Sequence, residues 1–285
     1  MLRVLVADAD PLHLRFLQSF LELRGARVLS AMDEVEAMRL LARHDFDLIF
    51  VDIDLPASEE GPQRGGAGLI GLLKSNPRTS RIPIIATVEG SESLLGCLAE
   101  AETLVSLKKP YQVNRLCFQL KEITASLEGD PRLNEWKWLG EVSAGDLPLV
   151  AEYEVLRALR FKQNLSCVSI VLRERVPAAE SALLIDWVYG ALPQPLCRSA
   201  HVFLEAGREL VLLLPQTTVE EANSIFGQLK SQAANFNGFG ALAVGFAGCR
   251  ESNVTSGVGL LACARGAWRK TEFDLEVLDD SNAAS

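Results

Sequence analysis

The sequence predicts an α/β fold in two domains, the first built on a parallel sheet. Three observations carry this. Short apolar, β-branched runs alternate with stretches of helical spacing from residue 3 to about 127, the pattern of parallel strands joined by helical crossovers. Residues 48–53, inside DLIFVDIDLP (47–56), are apolar except for Asp52 near their C-terminal end, as expected of a strand buried on both faces. Several runs end in polar residues able to do chemistry: Asp8 and Asp10, Asp52, Thr87 and Glu89, and Lys108-Lys109. Ligands collect at the carboxyl ends of strands in open α/β sheets, so Asp52 is the first candidate for chemistry.

In chain order, residues 3–7 (RVLVA) read as the first strand. Pro11 suits a first helical turn and Gly25 a stop, which places a helix over 12–24 with Leu14, Leu17 and Leu21 inward and Phe16 and Phe20 beside them. A short strand at 28–29 and a helix over 34–43 follow, with Val35, Met38, Leu41 and Ala42 on one face. Residues 57–68 (ASEEGPQRGGAG) read as a mobile loop beside Asp52. A phosphate cradle is disfavoured, because no Lys-Ser/Thr follows the glycines. Helices are expected at 69–74, 94–101 and 113–127, and strands at 82–87 and 103–107.

The 285 residues can bury two cores. The net charge of −9 argues against nucleic acid as a partner, since phosphate neutralisation needs a clustered basic surface. No apolar run reaches transmembrane length and no signal-peptide h-region is present, so a cytoplasmic protein without membrane contact is expected. The six cysteines form no CxxC pair and read as buried, reduced thiols. The three histidines show no ligand-like spacing.

Residues 128–147, with Gly129-Asp130-Pro131 and Gly145-Asp146, mark a linker between a first domain at 1–127 and a second at 148–285. Trp136 and Trp138 share one side of an extended segment and are expected to pack on a domain surface. Beyond the linker the expected order is helix 149–162 (apolar at Tyr153, Leu156 and Leu159), strand 165–172, helix 180–189 and a hairpin of 200–205 and 209–214 around Ala206-Gly207. Helix 217–234, strand 241–247, helix 258–268 and an edge strand at 273–278 complete it.

VADADP (6–11), VDIDLP (51–56) and LKKPY (107–111) together resemble the receiver domain of two-component response regulators. The resemblance implies a doubly wound, five-stranded parallel sheet. It assigns Asp52 as the phosphoacceptor, Lys109 and the switch hydroxyl of Thr87 as phosphoryl contacts, and Asp8, Asp52 and the Asp54 carbonyl as Mg²⁺ ligands. Two positions depart from the pattern. Ala9 stands where the second acid of the pair is expected, so Mg²⁺ binding is expected to be weak, with Asp10 a nearby substitute. Counted from Pro83, the hydroxyl position falls on Val88, and Thr87 reaches it only through a bulge. The residues leave open whether Asp52 is phosphorylated.

EVLRALRFKQNLSCVSIVL (154–172), AGRELVLLLPQTTVEEA (206–222), LAVGFA (242–247) and LLACARGAWRK (260–270) resemble the GGDEF domain of diguanylate cyclases. This implies a second α/β domain with a mixed sheet and a signature hairpin. The signature falls on Gly207, Arg208 and Glu209. Arg208, Val171 and Arg173 stand where the family places metal-binding acids or their neighbour, and cations there repel Mg²⁺. A non-enzymatic output domain is therefore expected, acting by protein contact. The implied partners are a sensor histidine kinase or phosphotransfer protein, a protein partner of the output domain, and a second copy in a homodimer. The alternative is a cyclic di-GMP receptor using Arg198 and Arg208, with His201 nearby; an active cyclase is the reading the residues favour least.

Overall fold

Five short apolar segments in the first half pair side by side, all in parallel. They are β1 (Arg3–Ala7), β2 (Arg27–Ala31), β3 (Leu48–Asp52), β4 (Ile84–Val88) and β5 (Leu104–Lys108), in the order β2-β1-β3-β4-β5. The computed structural model describes residues 1–57, 65–89, 104–126, 142–194, 196–233 and 241–270. The chain divides into two compact units, Met1–Val142 and Ser143–Ser285.

In the first unit, α1 (Pro11–Glu22), α2 (Glu34–Arg43), α3 (Gly65–Ser75) and α4 (Val113–Ser126) cover the sheet. One face packs Leu5, Ala7, Ile49, Val51, Ile84 and Ala86 against α2 and α3. The alternate residues Val4, Val6, Phe50 and Ile85 are equally buried on the opposite side of the pleat. There α1 meets β1 and β2 and α4 meets β5. Arg24, just past α1, spans that layer, with Nη2 3.9 Å from Cys117 Sγ of α4.

Asp10 caps α1 by accepting from Leu12 N–H, and Asp33 caps α2 by accepting from Glu36 N–H. Two predicted helix faces rotate. Leu14 is only half-buried, and His13 takes a buried place on α1. On α2, Met38 and Ala42 are exposed, while Ala37, Leu40 and Leu41 meet the core.

The loop expected over 57–68 ends sooner than its composition suggests, because Gly65–Ser75 is helical. The glycines serve a close approach. A Cβ on Gly66 would lie 1.8 Å from the Asp52 carbonyl oxygen and 2.8 Å from that of Ile53, so α3 can begin against the end of β3 only with glycine here. Gly66→Ala is expected to destabilise the first unit by about 2–3 kcal/mol. Gly71→Ala, on the same helix with nothing within 4 Å of an added Cβ, is expected to stabilise it by up to about 1 kcal/mol. Chemical denaturation of both variants checks the pair.

The second unit holds β6 (Leu165–Leu172), β7 (His201–Glu205), β8 (Glu209–Pro215), β9 (Ala241–Gly248) and β10 (Arg269–Lys270). The order is β10-β9-β6-β8-β7 and every pairing is antiparallel. The mixed sheet expected from the sequence is therefore corrected to an antiparallel one: central β6 is flanked by β8 and β9, both running opposite to it.

One face packs Val168, Ile170, Leu210, Leu212 and Leu214 against α6 (Ala178–Ala191) and α7 (Val219–Ala233). The other meets α5 (Leu147–Phe161) and α8 (Gly257–Gly266). On α5, of the apolar positions noted, Tyr153 is buried while Leu156 and Leu159 are exposed; Val150, Ala151, Glu154, Val155 and Ala158 also turn inward. Glu154 Oε2 accepts from Arg157 Nε at 2.9 Å and Nη2 at 2.7 Å, and Glu154 Oε1 lies 3.1 Å from His201 Nε2 on β7.

The expected helix at 94–101, the strand at 273–278 and the Trp136 and Trp138 segment lie outside the described residues. Among the described residues no helix is long and apolar enough to cross a membrane.

Candidate functional site

The parallel register brings the carboxyl ends of four strands together. Asp8 follows β1, Asp52 ends β3, Thr87 lies in β4 and Lys109 follows β5. Lys109 Nζ lies 2.9 Å from Asp8 Oδ2 and 2.9 Å from Asp52 Oδ2, with all three side chains buried. Each carboxylate gives its other oxygen to the backbone. Asp8 Oδ1 accepts from Asp10 N–H at 2.9 Å, and Asp52 Oδ1 accepts from Asp54 N–H at 3.2 Å. Tyr111, fully buried, donates its hydroxyl to Asp8 Oδ2 at 3.3 Å.

Burial pushes the Asp8 carboxyl up to about 6, against the opposing pull of Lys109. Burial alone would lower the Lys109 ammonium, but the charge of Asp8 and the hydrogen bonds of Asp52 and Asp8 outweigh it and hold it above its ordinary value. The site is therefore an ammonium clamped between two acids, one of which is costly to ionise.

The spacing from Pro83 placed the hydroxyl position on Val88. The strand register corrects this without a bulge: Asp52 pairs with Thr87 and Val88 pairs with Lys108. Val88 joins the core beneath α2 and α3 with Ile84 and Ala86, and the two-residue period sends Thr87 to the other face. Thr87 is 1% exposed, and its hydroxyl has no hydrogen-bond partner among the described residues. A buried hydroxyl thus stands level with Asp52 on the neighbouring strand.

Ala9 packs against the same core and offers no ligand atom. Asp10 does not take its place beside Lys109. Its Oδ1 caps α1, and its Oδ2 lies 3.6 Å from His13 Nδ1. Glu89 Oε1 lies 3.7 Å from the same nitrogen, and the three ligand atoms lie within 4.8 Å of one another. Sequence spacing missed this group, because Glu89 arrives from β4 and His13 from the buried face of α1. Asp54 is exposed.

The family profile of the response regulator receiver domain matches residues 4–121. Residues 4–121 are a receiver domain. A response regulator of Aneurinibacillus migulanus, GtcR, is 30% identical over 108 residues, covering 38% of this chain. The match spans 41% of that relative's length. Among solved structures, the chemotaxis protein CheY4 of Vibrio cholerae is 22% identical, with a TM-score of 0.37 over 43% of this chain and 98% of its own. A response regulator from Desulfuromonas acetoxidans is 23% identical, with a TM-score of 0.39 over 45% of this chain and 99% of its own. In the receiver domain the described site is the cluster at the ends of β1, β3, β4 and β5.

In the second unit, Ala206 and Gly207 both have positive φ, 48° and 67°, and Arg208 N–H donates to Glu205 O at 2.9 Å. The twist of this turn matches the flanking strands β7 and β8. A Cβ on Gly207 would lie 2.5 Å from Val176 O, so this glycine serves both turn and packing. Glu209 is committed internally: its Oε1 accepts from Ser169 Oγ at 2.7 Å and from Arg265 Nε at 2.8 Å. Arg265 also pairs with Glu205, and Trp268 Nε1 donates to Ser169 Oγ at 2.8 Å. Arg208 is exposed on a cavity of about 620 Å³ that Val171, Glu205, Glu209 and Trp268 also line. Arg198 lies in a single 3-10 turn before β7, and His201 is buried against Glu154.

Proposed function

We propose that the chain is a response regulator of two-component phosphorelay signalling, with Asp52 as phosphoacceptor and a non-enzymatic output unit that works by protein contact. The observation that carries this is the Lys109 ammonium bridging Asp8 and Asp52, with the Thr87 hydroxyl level with Asp52 on the neighbouring strand.

In this reading a phosphohistidine of a sensor kinase or phosphotransfer protein meets the Asp52 carboxylate, which is the nucleophile. The bond from phosphorus to the histidine nitrogen breaks as the bond to Asp52 Oδ2 forms, and the departing imidazole takes up a proton. Lys109 passes from the two carboxylates to a phosphoryl oxygen, and the Thr87 hydroxyl donates to another. The residues fit Mg²⁺ in part. Asp8 and Asp52 are hard oxygen donors converging on one buried point, and the Asp54 carbonyl would complete the set. When bound, Mg²⁺ neutralises charge on the phosphoryl oxygens. With Ala9 in place of an acid, affinity is expected to be weak, and Ala9→Asp is expected to raise it.

The finer reading of the output unit is a degenerate GGDEF-like domain. Its support is the positive-φ hairpin at Ala206 and Gly207, the engagement of Glu209 by Arg265, and Val171 and Arg208 where acids would be needed. The protein is accordingly proposed to be cytoplasmic and to have no enzymatic activity.

One set of measurements tests the whole reading. Beryllium fluoride with Mg²⁺ is expected to change tryptophan emission or oligomeric state, and Asp52→Asn to abolish the response. All four tryptophans lie beyond residue 127, so emission reports on the linker and output unit. Incubation with GTP and Mg²⁺ or Mn²⁺ is expected to yield no cyclic di-GMP. Calorimetric binding of cyclic di-GMP would replace the contact reading with the receptor one. A mimic that binds yet changes neither emission nor mass removes the switch.

A further inference from the structure

We infer that Asp10, His13 and Glu89 form a second cation site at the lip of the acid pocket, built for a divalent first-row transition ion rather than Mg²⁺. The three come from separate places: Asp10 is the cap of α1, His13 lies on the buried face of that helix, and Glu89 follows β4. His13 is 2% exposed, whereas Glu89 is 58% exposed at its side chain. The nitrogen is therefore fixed by packing, and one carboxylate can adjust on the solvent side.

The spacing favours a metal over a simple ion pair. A protonated imidazole, with one hydrogen on Nδ1, draws one carboxylate oxygen to about 2.8 Å. Here the separations from His13 Nδ1 are 3.6 Å to Asp10 Oδ2 and 3.7 Å to Glu89 Oε1. Ligands bonded to zinc at about 2.0–2.1 Å in a tetrahedral shell stand roughly 3.3–3.4 Å apart. Closing the two nitrogen–oxygen distances needs only a few tenths of an ångström, and the exposed Glu89 side chain can close the separation between the two carboxylate oxygens, which is within 4.8 Å.

The donor set selects the ion. An imidazole nitrogen suits zinc, copper, iron and nickel, whereas Mg²⁺ prefers oxygen and water. Two carboxylates balance the charge of one divalent ion and leave coordination positions for water. Among the described residues, Lys109 faces Asp8 and Asp52, and His13 faces Asp10 and Glu89.

The group is wired to the phosphoacceptor pocket by two routes. Asp10 N–H donates to Asp8 Oδ1. The His13 ring meets Tyr111 edge-on at 5.4 Å, and Tyr111 donates to Asp8 Oδ2. An ion here would hold both second-layer partners of Asp8 in place.

The test uses the full chain stripped with chelator and titrated with Mn²⁺, Co²⁺, Zn²⁺ or Mg²⁺ by calorimetry. One equivalent of transition ion is expected to bind. Glu89→Gln, at an exposed position where folding is not at risk, is expected to weaken it at least tenfold. His13→Gln should do the same, and Asp10→Asn, which keeps a helix cap, should weaken it as well. Asp52→Asn should leave that affinity within a few-fold while removing the beryllium fluoride response, which separates this site from the phosphorylation reading. The inference is overturned if Glu89→Gln and His13→Gln bind the ion as the parent does. It is equally overturned if Asp52→Asn abolishes binding, or if bound Co²⁺ shows a thiolate charge-transfer band, which would place the ion on cysteine.

Discussion

Lys109→Met is expected to destabilise the receiver domain by about 3–5 kcal/mol at pH 7, the cost of leaving buried charge uncompensated. The ammonium is 2.9 Å from both Asp8 and Asp52, and no other cation among the described residues pairs with either carboxylate. Methionine fills similar space and supplies no charge, so the two acids must share a proton or repel one another. The sign of the pH dependence follows. Lowering the pH lets a carboxyl take up that proton, so the deficit should shrink towards pH 5.

Asp8→Asn should act in the opposite direction. The Asp8 carboxyl is raised from 3.8 to about 6 by burial, so the folded state binds its proton more tightly than the unfolded chain does. Stability from this group is full at low pH and falls as pH rises from about 4 through 6. Asparagine mimics the protonated form and still accepts from Lys109. The variant should therefore gain up to about 3 kcal/mol at pH 7, from roughly 1.4 kcal/mol per pKa unit, and nothing near pH 4. Combining the two changes should recover at least about 1 kcal/mol beyond additivity. Hydrogen exchange of amides in β1, β3 and β5 reads the receiver domain separately from the second unit. A Lys109→Met deficit that is the same at pH 5 and pH 7 would refute the paired-acid account.

The first unit was legible because its signals are local and chemical. A fully buried strand must be apolar, so Asp52 stood out at the end of β3, and Lys109 did likewise beyond β5. Geometry that depends on register was harder to read. Counting from Pro83 put Val88 in the place of Thr87, because one residue of strand reverses the face and the start of β4 carries no sharp sequence mark. Gly65 and Gly66 looked like loop residues; their reason is a positive φ beside the Leu55 carbonyl for Gly65 and the close Asp52 carbonyl for Gly66, contacts that composition does not show. The meeting of His13 and Glu89 was hidden for the same cause. Their partners are set by tertiary contact, and an apolar helix face conceals a histidine. In the second unit the hairpin announced itself by its glycine. The antiparallel sheet did not, since strand direction follows from connections that composition does not encode.

Glu154 shows the same limit and carries the other large effect. Of the apolar positions marked on α5, Leu156 and Leu159 are exposed, whereas the buried face holds Glu154 and Arg157 with Tyr153. Glu154 links that helix to β7 through His201 and is 1% exposed. Glu154→Leu should cost about 3–5 kcal/mol at pH 7, because Arg157 then stays buried with Gln163 as its one remaining side-chain partner among the described residues. Glu154→Gln, which keeps shape and an acceptor, should cost less. Burial would raise the Glu154 carboxyl, but the hydrogen bond and charge of His201 and the charge of Arg157 together hold it below 4.5. Its stabilisation is therefore present above the unfolded value and lost as pH falls through the lower folded one. The penalty of Glu154→Leu should accordingly narrow in acid. Urea unfolding followed by tryptophan emission checks this, since Trp187 and Trp268 both lie in the second unit. A penalty unchanged between pH 7 and pH 3.5 would mean that packing, not the charge triad, fixes α5 to β7.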